Sequence, residues 1–126
     1  MEPVYIKESF NTPKIILDKK KGIFSFEGKS IPEDTTDFYG RIDKWFEEYK
    51  KNPNPRTIVH FKFDYYNTST SQSILEILNI LKEIKEKGFE INVYWYYDKS
   101  DSDLLESGEE YANIVPIPFE FIENES

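Results

Sequence analysis

Thr57-Ile58-Val59-His60-Phe61-Lys62-Phe63-Asp64-Tyr65-Tyr66 runs directly into Asn67-Thr68-Ser69-Thr70-Ser71 and then into the segment Gln72 to Lys87. The first run alternates, with Val59, Phe61, Phe63 and Tyr65 on one side and Ile58, His60, Lys62 and Asp64 on the other. That period predicts a strand with one buried face. The last segment places Ile74, Leu75, Ile77, Leu78, Leu81 and Ile84 on one stripe, which predicts an amphipathic helix. Gly88 follows as its C-terminal cap. A strand that feeds a helix through a row of hydroxyl side chains sets the class of the fold as α/β.

Moving outward, Phe89 to Tyr97 alternates again. Phe89, Ile91, Val93, Trp95 and Tyr97 face one way; Glu90, Asn92, Tyr94 and Tyr96 face the other. Thr57 to Tyr97 therefore reads as a right-handed parallel crossover. Beyond it, Asp101 to Ala112 predicts a short acidic helix weakened by Gly108. Val115, Ile117, Phe119 and Phe121 predict a last strand, which Pro116 and Pro118 confine to a sheet edge. Upstream, Asn52 to Pro55 is a loop. Pro32 and Glu33 open a helix from about Asp34 to Lys50, with Phe38, Ile42, Trp45, Phe46 and Tyr49 on one face. Lys14 to Leu17 and Gly22 to Glu27 form a hairpin around Asp18 to Lys21. The expected order is β-β-α-β-α-β-α-β, a mixed sheet of about five strands in a single domain spanning residues 1–126. Both strands of the crossover are half polar, so the helices should lie mainly on one sheet face, leaving the other partly open.

Composition removes several classes of function. The formal charge is −8 and the basic residues gather into no stripe, so nucleic acid and anionic membrane surfaces are disfavoured as partners. No cysteine is present, which excludes thiolate catalysis, disulfides and cysteine metal sites. The N-terminal residues lack the charged-then-apolar pattern of a secretion signal, and no apolar run approaches the roughly 20 residues that span a bilayer. The expected location is cytoplasmic, without membrane insertion. Ten Phe, nine Tyr and two Trp supply a core and argue against disorder.

No enzyme constellation emerges. His60 is the sole histidine, and Asp64 lies four residues along the same strand face, with Cα atoms roughly 13 Å apart. Ser69 and Ser71 lie further still, so a hydrolase triad fails on distance. Nothing in the sequence pairs with His60. Asp98, Asp101 and Asp103 resemble a calcium loop only in spacing, since its glycine and terminal glutamate are missing. No metal and no cofactor is expected. Tyr94 and Tyr96 fall on the open sheet face, either as an interface or beneath an N-terminal segment such as Val4 to Phe10.

The junction itself has two readings. Ser69 with Gln72 three residues on fits a capping box, the commonplace use of hydroxyls at a helix start. The same place carries the positive end of the helix dipole and unpaired N–H groups, which suit an anion or an attached phosphate. If the strands ending at Tyr66 and Tyr97 are parallel neighbours, Asn67 to Ser71 and Asp98 to Asp103 share one rim.

Thr12-Pro13, Gly28-Lys29-Ser30-Ile31-Pro32-Glu33, Tyr66-Asn67-Thr68-Ser69 and Trp95-Tyr96-Tyr97-Asp98 occur in that order across almost the whole chain. On these motifs the chain resembles the SiaC family of bacterial regulatory phosphoproteins, whose fold is like that of STAS domains and anti-sigma-factor antagonists. The resemblance implies a protein without enzymatic activity. Its phosphoacceptor is the threonine of the Asn-Thr-Ser junction, here Thr68, with Asn67, Ser69, Thr70, Ser71 and Asp98 forming the surrounding partner-binding rim. It also implies a serine/threonine kinase, a cognate phosphatase and an effector whose binding is switched, in one well-known system a diguanylate cyclase. The sequence departs from the family in placing Tyr65-Tyr66 where aliphatic residues are usual and in adding the hydroxyl of Thr70. A second reading keeps a binding module that uses its open face and rim without phosphorylation.

Overall fold

A computed structural model describes residues 1–124. They form one sheet in the order β1-β2-β3-β4-β5-β6, with three helices. The strands are β1 (Val4–Ile6), β2 (Lys14–Asp18), β3 (Ile23–Ser30), β4 (Arg56–Tyr66), β5 (Glu90–Asp98) and β6 (Phe119–Asn124). The helices are α1 (Thr35–Lys51), α2 (Thr68–Glu86) and α3 (Ser102–Ile114). β1, β2 and β3 pair antiparallel, and β3 to β6 pair parallel. Each parallel crossover steps one strand in the same direction. Crossovers of one hand that advance one way put their helices on the same side of the sheet.

Burial follows that arrangement. Ile15, Leu17, Phe24, Phe26, Val59, Phe61, Val93 and Trp95 face the helices and are essentially inaccessible. Their alternation partners Ile16, Ser25, His60, Lys62, Tyr94 and Tyr96 retain solvent contact. α1 contributes Tyr39, Ile42, Trp45, Phe46 and Tyr49 to the core, and α2 contributes Ile74, Ile77, Leu78, Leu81 and Ile84. Among the described residues no helix is long and apolar enough to cross a membrane.

The expected α/β architecture holds, with four corrections. The sheet has six strands, because Val4–Ile6 pairs with β2 as an edge strand too short to show an alternation of its own. The order is therefore β-β-β-α-β-α-β-α-β. β6 lies at the edge opposite β1, as expected, but it starts only at Phe119, so Pro116 and Pro118 fall before the strand; Val115 and Ile117 are buried ahead of it. α2 begins at Thr68 and not at Gln72. Finally, Tyr65 does not follow Phe63 into the core. Gly28 pairs with Phe63 and Lys29 with Tyr65, so Asp64 is an extra residue in β4. The bulge turns Tyr65 outward, 58% exposed, and brings Tyr66 onto the rings of Phe63 and Trp95 at 5.5 and 6.3 Å.

Candidate functional site

The junction after β4 is organised by Asn67. Its backbone N–H donates to the Ser30 carbonyl at 3.1 Å, which fixes the chain end of β4 against that of β3. Its side-chain Oδ1 accepts from the Thr70 N–H at 2.9 Å, so Asn67 is the N-cap of α2. The predicted capping box on Ser69 and Gln72 is displaced. Both Asn67 and Ser69 have capping chemistry, and the residue nearer the strand end takes the position.

With Asn67 as cap, the four hydroxyls separate by helical geometry. Thr68 and Ser69 occupy the first two helical positions and are exposed. Their backbone N–H groups belong to the first turn, where intrahelical acceptors do not exist. Thr70 is fully buried: its Oγ1 donates to the Ser30 carbonyl at 3.1 Å and lies 3.0 Å from Ser30 Oγ, which meets the Tyr39 hydroxyl at 2.7 Å. It therefore stands apart from the exposed rim expected of it, as one member of a polar knot that ties β3, α1 and α2. Burial pushes the Tyr39 hydroxyl far above its usual range, so it stays protonated within this knot. Ser71 is half-buried; its Oγ donates to the Thr68 carbonyl at 2.6 Å, and its own carbonyl accepts from Tyr111 Oη at 2.9 Å.

The shared rim of β4 and the β5–α3 connection is present in a specific form. Asp64, Tyr65, Tyr66, Asp101, Asp103, Leu104 and Ser107 line a cleft of about 270 Å³. Asp98 is exposed and turned into its own loop, where its carboxylate accepts from the Ser100 N–H at 3.1 Å and from Ser100 Oγ at 2.9 Å. Those bonds hold its pKa below the usual carboxylate range. Asp101 caps α3 by accepting from the Leu104 N–H at 3.0 Å. The cleft is thus acidic, with Asp64 and Asp103 exposed and Asp101 half-buried in its lining.

Tyr94 and Tyr96 stand half-buried on the uncovered sheet face. The Val4 to Phe10 segment does not cover them, because its strand lies beyond β2 and β3 and β4 intervene. His60 is not solitary: its Nδ1 lies 2.9 Å from Tyr96 Oη, and its ring meets Tyr94 edge-on at 5.1 Å. Lys62 Nζ lies 4.8 Å over the Tyr96 ring. Burial, with Lys62 as the lesser cause, lowers the His60 pKa, so its imidazole is neutral at physiological pH. These contacts bridge neighbouring strands β4 and β5, a placement visible only once the register is known. Among the described residues no cluster of three or more His, Asp or Glu side chains is arranged to hold a metal ion.

The family model described as SiaC family regulatory phosphoprotein matches residues 6–124. An uncharacterised protein of Pseudomonas aeruginosa (strain UCBPP-PA14) is 27% identical over 119 residues, covering 94% of each chain. The crystal structure of apo-SiaC from Pseudomonas aeruginosa superposes with a TM-score of 0.87 at 27% identity, covering 97% of this chain and 99% of the other. A chain in the crystal structure of the diguanylate cyclase SiaD in complex with its activator SiaC, also from Pseudomonas aeruginosa, gives a TM-score of 0.88 at 26% identity. That match covers 96% of this chain and 99% of the other.

Proposed function

The chain belongs to the SiaC family of regulatory phosphoproteins, regulators and not enzymes, and from there we propose that it is a partner-switching protein phosphorylated on Thr68. A dedicated serine/threonine kinase adds the phosphate and a cognate phosphatase removes it. The unmodified form engages an effector, and the likeness to the activator of SiaD supports a diguanylate cyclase as that effector's class. The observation that carries this reading is the sorting of the junction hydroxyls. Thr68 and Ser69 are exposed at the first two helical positions, whereas Thr70 is sealed in the core, and of the exposed pair Thr68 is the threonine of the Asn-Thr-Ser junction.

The switch is electrostatic. A phosphate adds about −1.5 to −2 charge and three acceptor oxygens. On Thr68 it would sit at the positive end of α2 and deepen the negative rim formed by Asp64, Asp101 and Asp103. A partner surface fitted to the neutral hydroxyl would then face a like or poorly solvated charge, which costs several kcal/mol. That is enough to empty a micromolar complex.

Incubation with ATP and the cognate serine/threonine kinase, followed by peptide mass spectrometry, tests the assignment. One phosphate per chain is expected on Thr68, and none on Thr68→Ala. A phosphate placed on Ser69 instead would refute it.

The uncovered aromatic patch of Tyr94, Tyr96 and His60 favours one second reading, a binding module that works without phosphorylation. Unlabelled protein that still binds its effector tightly would support that alternative.

A further inference from the structure

Asp43 on α1 and Glu76 on α2 line the same groove of about 330 Å³ between the two helices, together with Tyr39, Ser69, Gln72 and Ser73. Asp43 Oδ1 is buried and has no hydrogen-bond donor among the described residues. An acceptor left in that state is costly, and two ionised carboxylates facing each other add like-charge repulsion. One proton removes both problems. The protonated carboxyl becomes an O–H donor to the other carboxylate.

We propose that Asp43 and Glu76 share a single proton, forming an acid–acid latch between α1 and α2.

The surroundings are of the required kind. Burial, followed by the hydrogen bond and charge of Glu76 and the charge of Glu47, pushes the Asp43 carboxyl up to about 7. Glu47 lies on the same helix and is itself paired with Lys50, which also reaches Glu83 at 3.2 Å. Arg41 and Lys44 line a separate concavity with Thr36 and Asp37. The other groove residues are neutral, and the Tyr39 hydroxyl is engaged with Ser30. The sheet face beneath the helices is apolar, with Phe24, Phe26, Phe61 and Val93 fully buried. The charges acting on Asp43 are thus both negative. The sign follows from linkage. The folded carboxyl holds its proton more tightly than the unfolded one, whose value is 3.8. Its stabilising contribution is complete below that value and is lost as pH rises through about 7.

The position gives the latch a consequence. Ser69, which follows Thr68, lines the same groove as the pair. Loss of the proton would weaken the contact of α2 with α1 about two turns beyond Thr68, while the Thr70–Ser30–Tyr39 knot keeps the helix start in place. The latch stands whether or not Thr68 is modified, so its test needs no kinase or effector.

Carboxyl-carbon NMR titration of the whole chain reads it directly. The Asp43 carboxyl is expected to titrate near pH 7 in the wild type. It should fall by roughly one pH unit or more in Glu76→Gln, where an amide donor replaces the shared proton and one negative charge is gone. Melting temperature should drop between about pH 5.5 and about pH 8.5 by more in the wild type than in Glu76→Gln. An Asp43 carboxyl that titrates in the ordinary range, or one unmoved by Glu76→Gln, would overturn the latch. If the variant fails to fold, the wild-type titration alone decides.

Discussion

Two residues apart, Thr68 and Thr70 carry the same side chain and should respond very differently to its removal. Thr70 Oγ1 is one of the buried polar atoms that close the Ser30–Tyr39 knot. Thr70→Val preserves shape but strands buried polar partners, a change that costs about 1–3 kcal/mol. Thr68→Ala removes an exposed hydroxyl from a helix whose cap is Asn67, so it should shift stability by no more than about 0.5 kcal/mol. Urea-unfolding midpoints separate the two; equal midpoints would mean that the knot contributes nothing. Gly108 gives a second reversal of expectation. As a mid-helix glycine it costs α3 about 1 kcal/mol relative to alanine, and from the sequence it is simply a weakness. In the fold, a Cβ there would lie 2.5 Å from Trp95 Cδ1 and Nε1, and Trp95 Nε1 donates to the Leu104 carbonyl at 3.0 Å. Overpacking of this sort costs about 1–3 kcal/mol. Gly108→Ala is therefore expected to lower the melting temperature and alter tryptophan emission, and an unchanged or raised melting temperature would show that the indole can give way.

α2 is the element on which signalling would act, and its register decides how. Thr68 lies at the dipole's positive end, where a negative group contributes about 0.3–1 kcal/mol in the helix's favour. Phosphorylation should therefore leave α2 intact and change only what the rim presents. Far-UV circular dichroism before and after stoichiometric phosphorylation is expected to superimpose; a loss of the α2 signal would replace a surface switch with an unfolding one. The existence of this helix was legible in the stripe Ile74, Ile77, Leu78, Leu81 and Ile84, just as β4 was legible in Val59, Phe61 and Phe63. Periodicity reports which face is buried, and these elements bury one face. What it does not report is where a polar start is capped. Asn67 and Ser69 compete on equal chemical terms, and the choice falls to the Ser30 carbonyl, far away in sequence. The bulge at Asp64, the knot at Ser30 and the His60–Tyr96 contact were hidden for the same reason, since each depends on strand register. The sequence does not say which two helices touch, so nothing in it brings Asp43 of α1 to Glu76 of α2.

The whole molecule has two sides with different chemistry. The helices cover one face of the sheet, and the other carries Tyr94, Tyr96, His60 and Lys62 in contact with solvent. The Thr68 junction and the Asp64–Asp103 cleft lie at the rim where the parallel strands end, the side of an open α/β sheet on which ligands and partners engage. If partner switching works through charge at that rim, the aromatic face should be nearly irrelevant to it. Tyr94→Ser combined with Tyr96→Ser removes the His60 hydrogen bond and the Lys62 contact while leaving the helix-side core untouched. Effector affinity of this variant is expected to stay within about threefold of wild type, whereas Thr68→Asp, which supplies only part of a phosphate's charge, should weaken binding by about tenfold, or roughly 1.4 kcal/mol. Calorimetric titration of both variants against the effector distinguishes the two surfaces. Were the tyrosine pair to abolish binding and Thr68→Asp to spare it, the contact surface would move to the open sheet, and the rim would keep only its structural duty of starting α2.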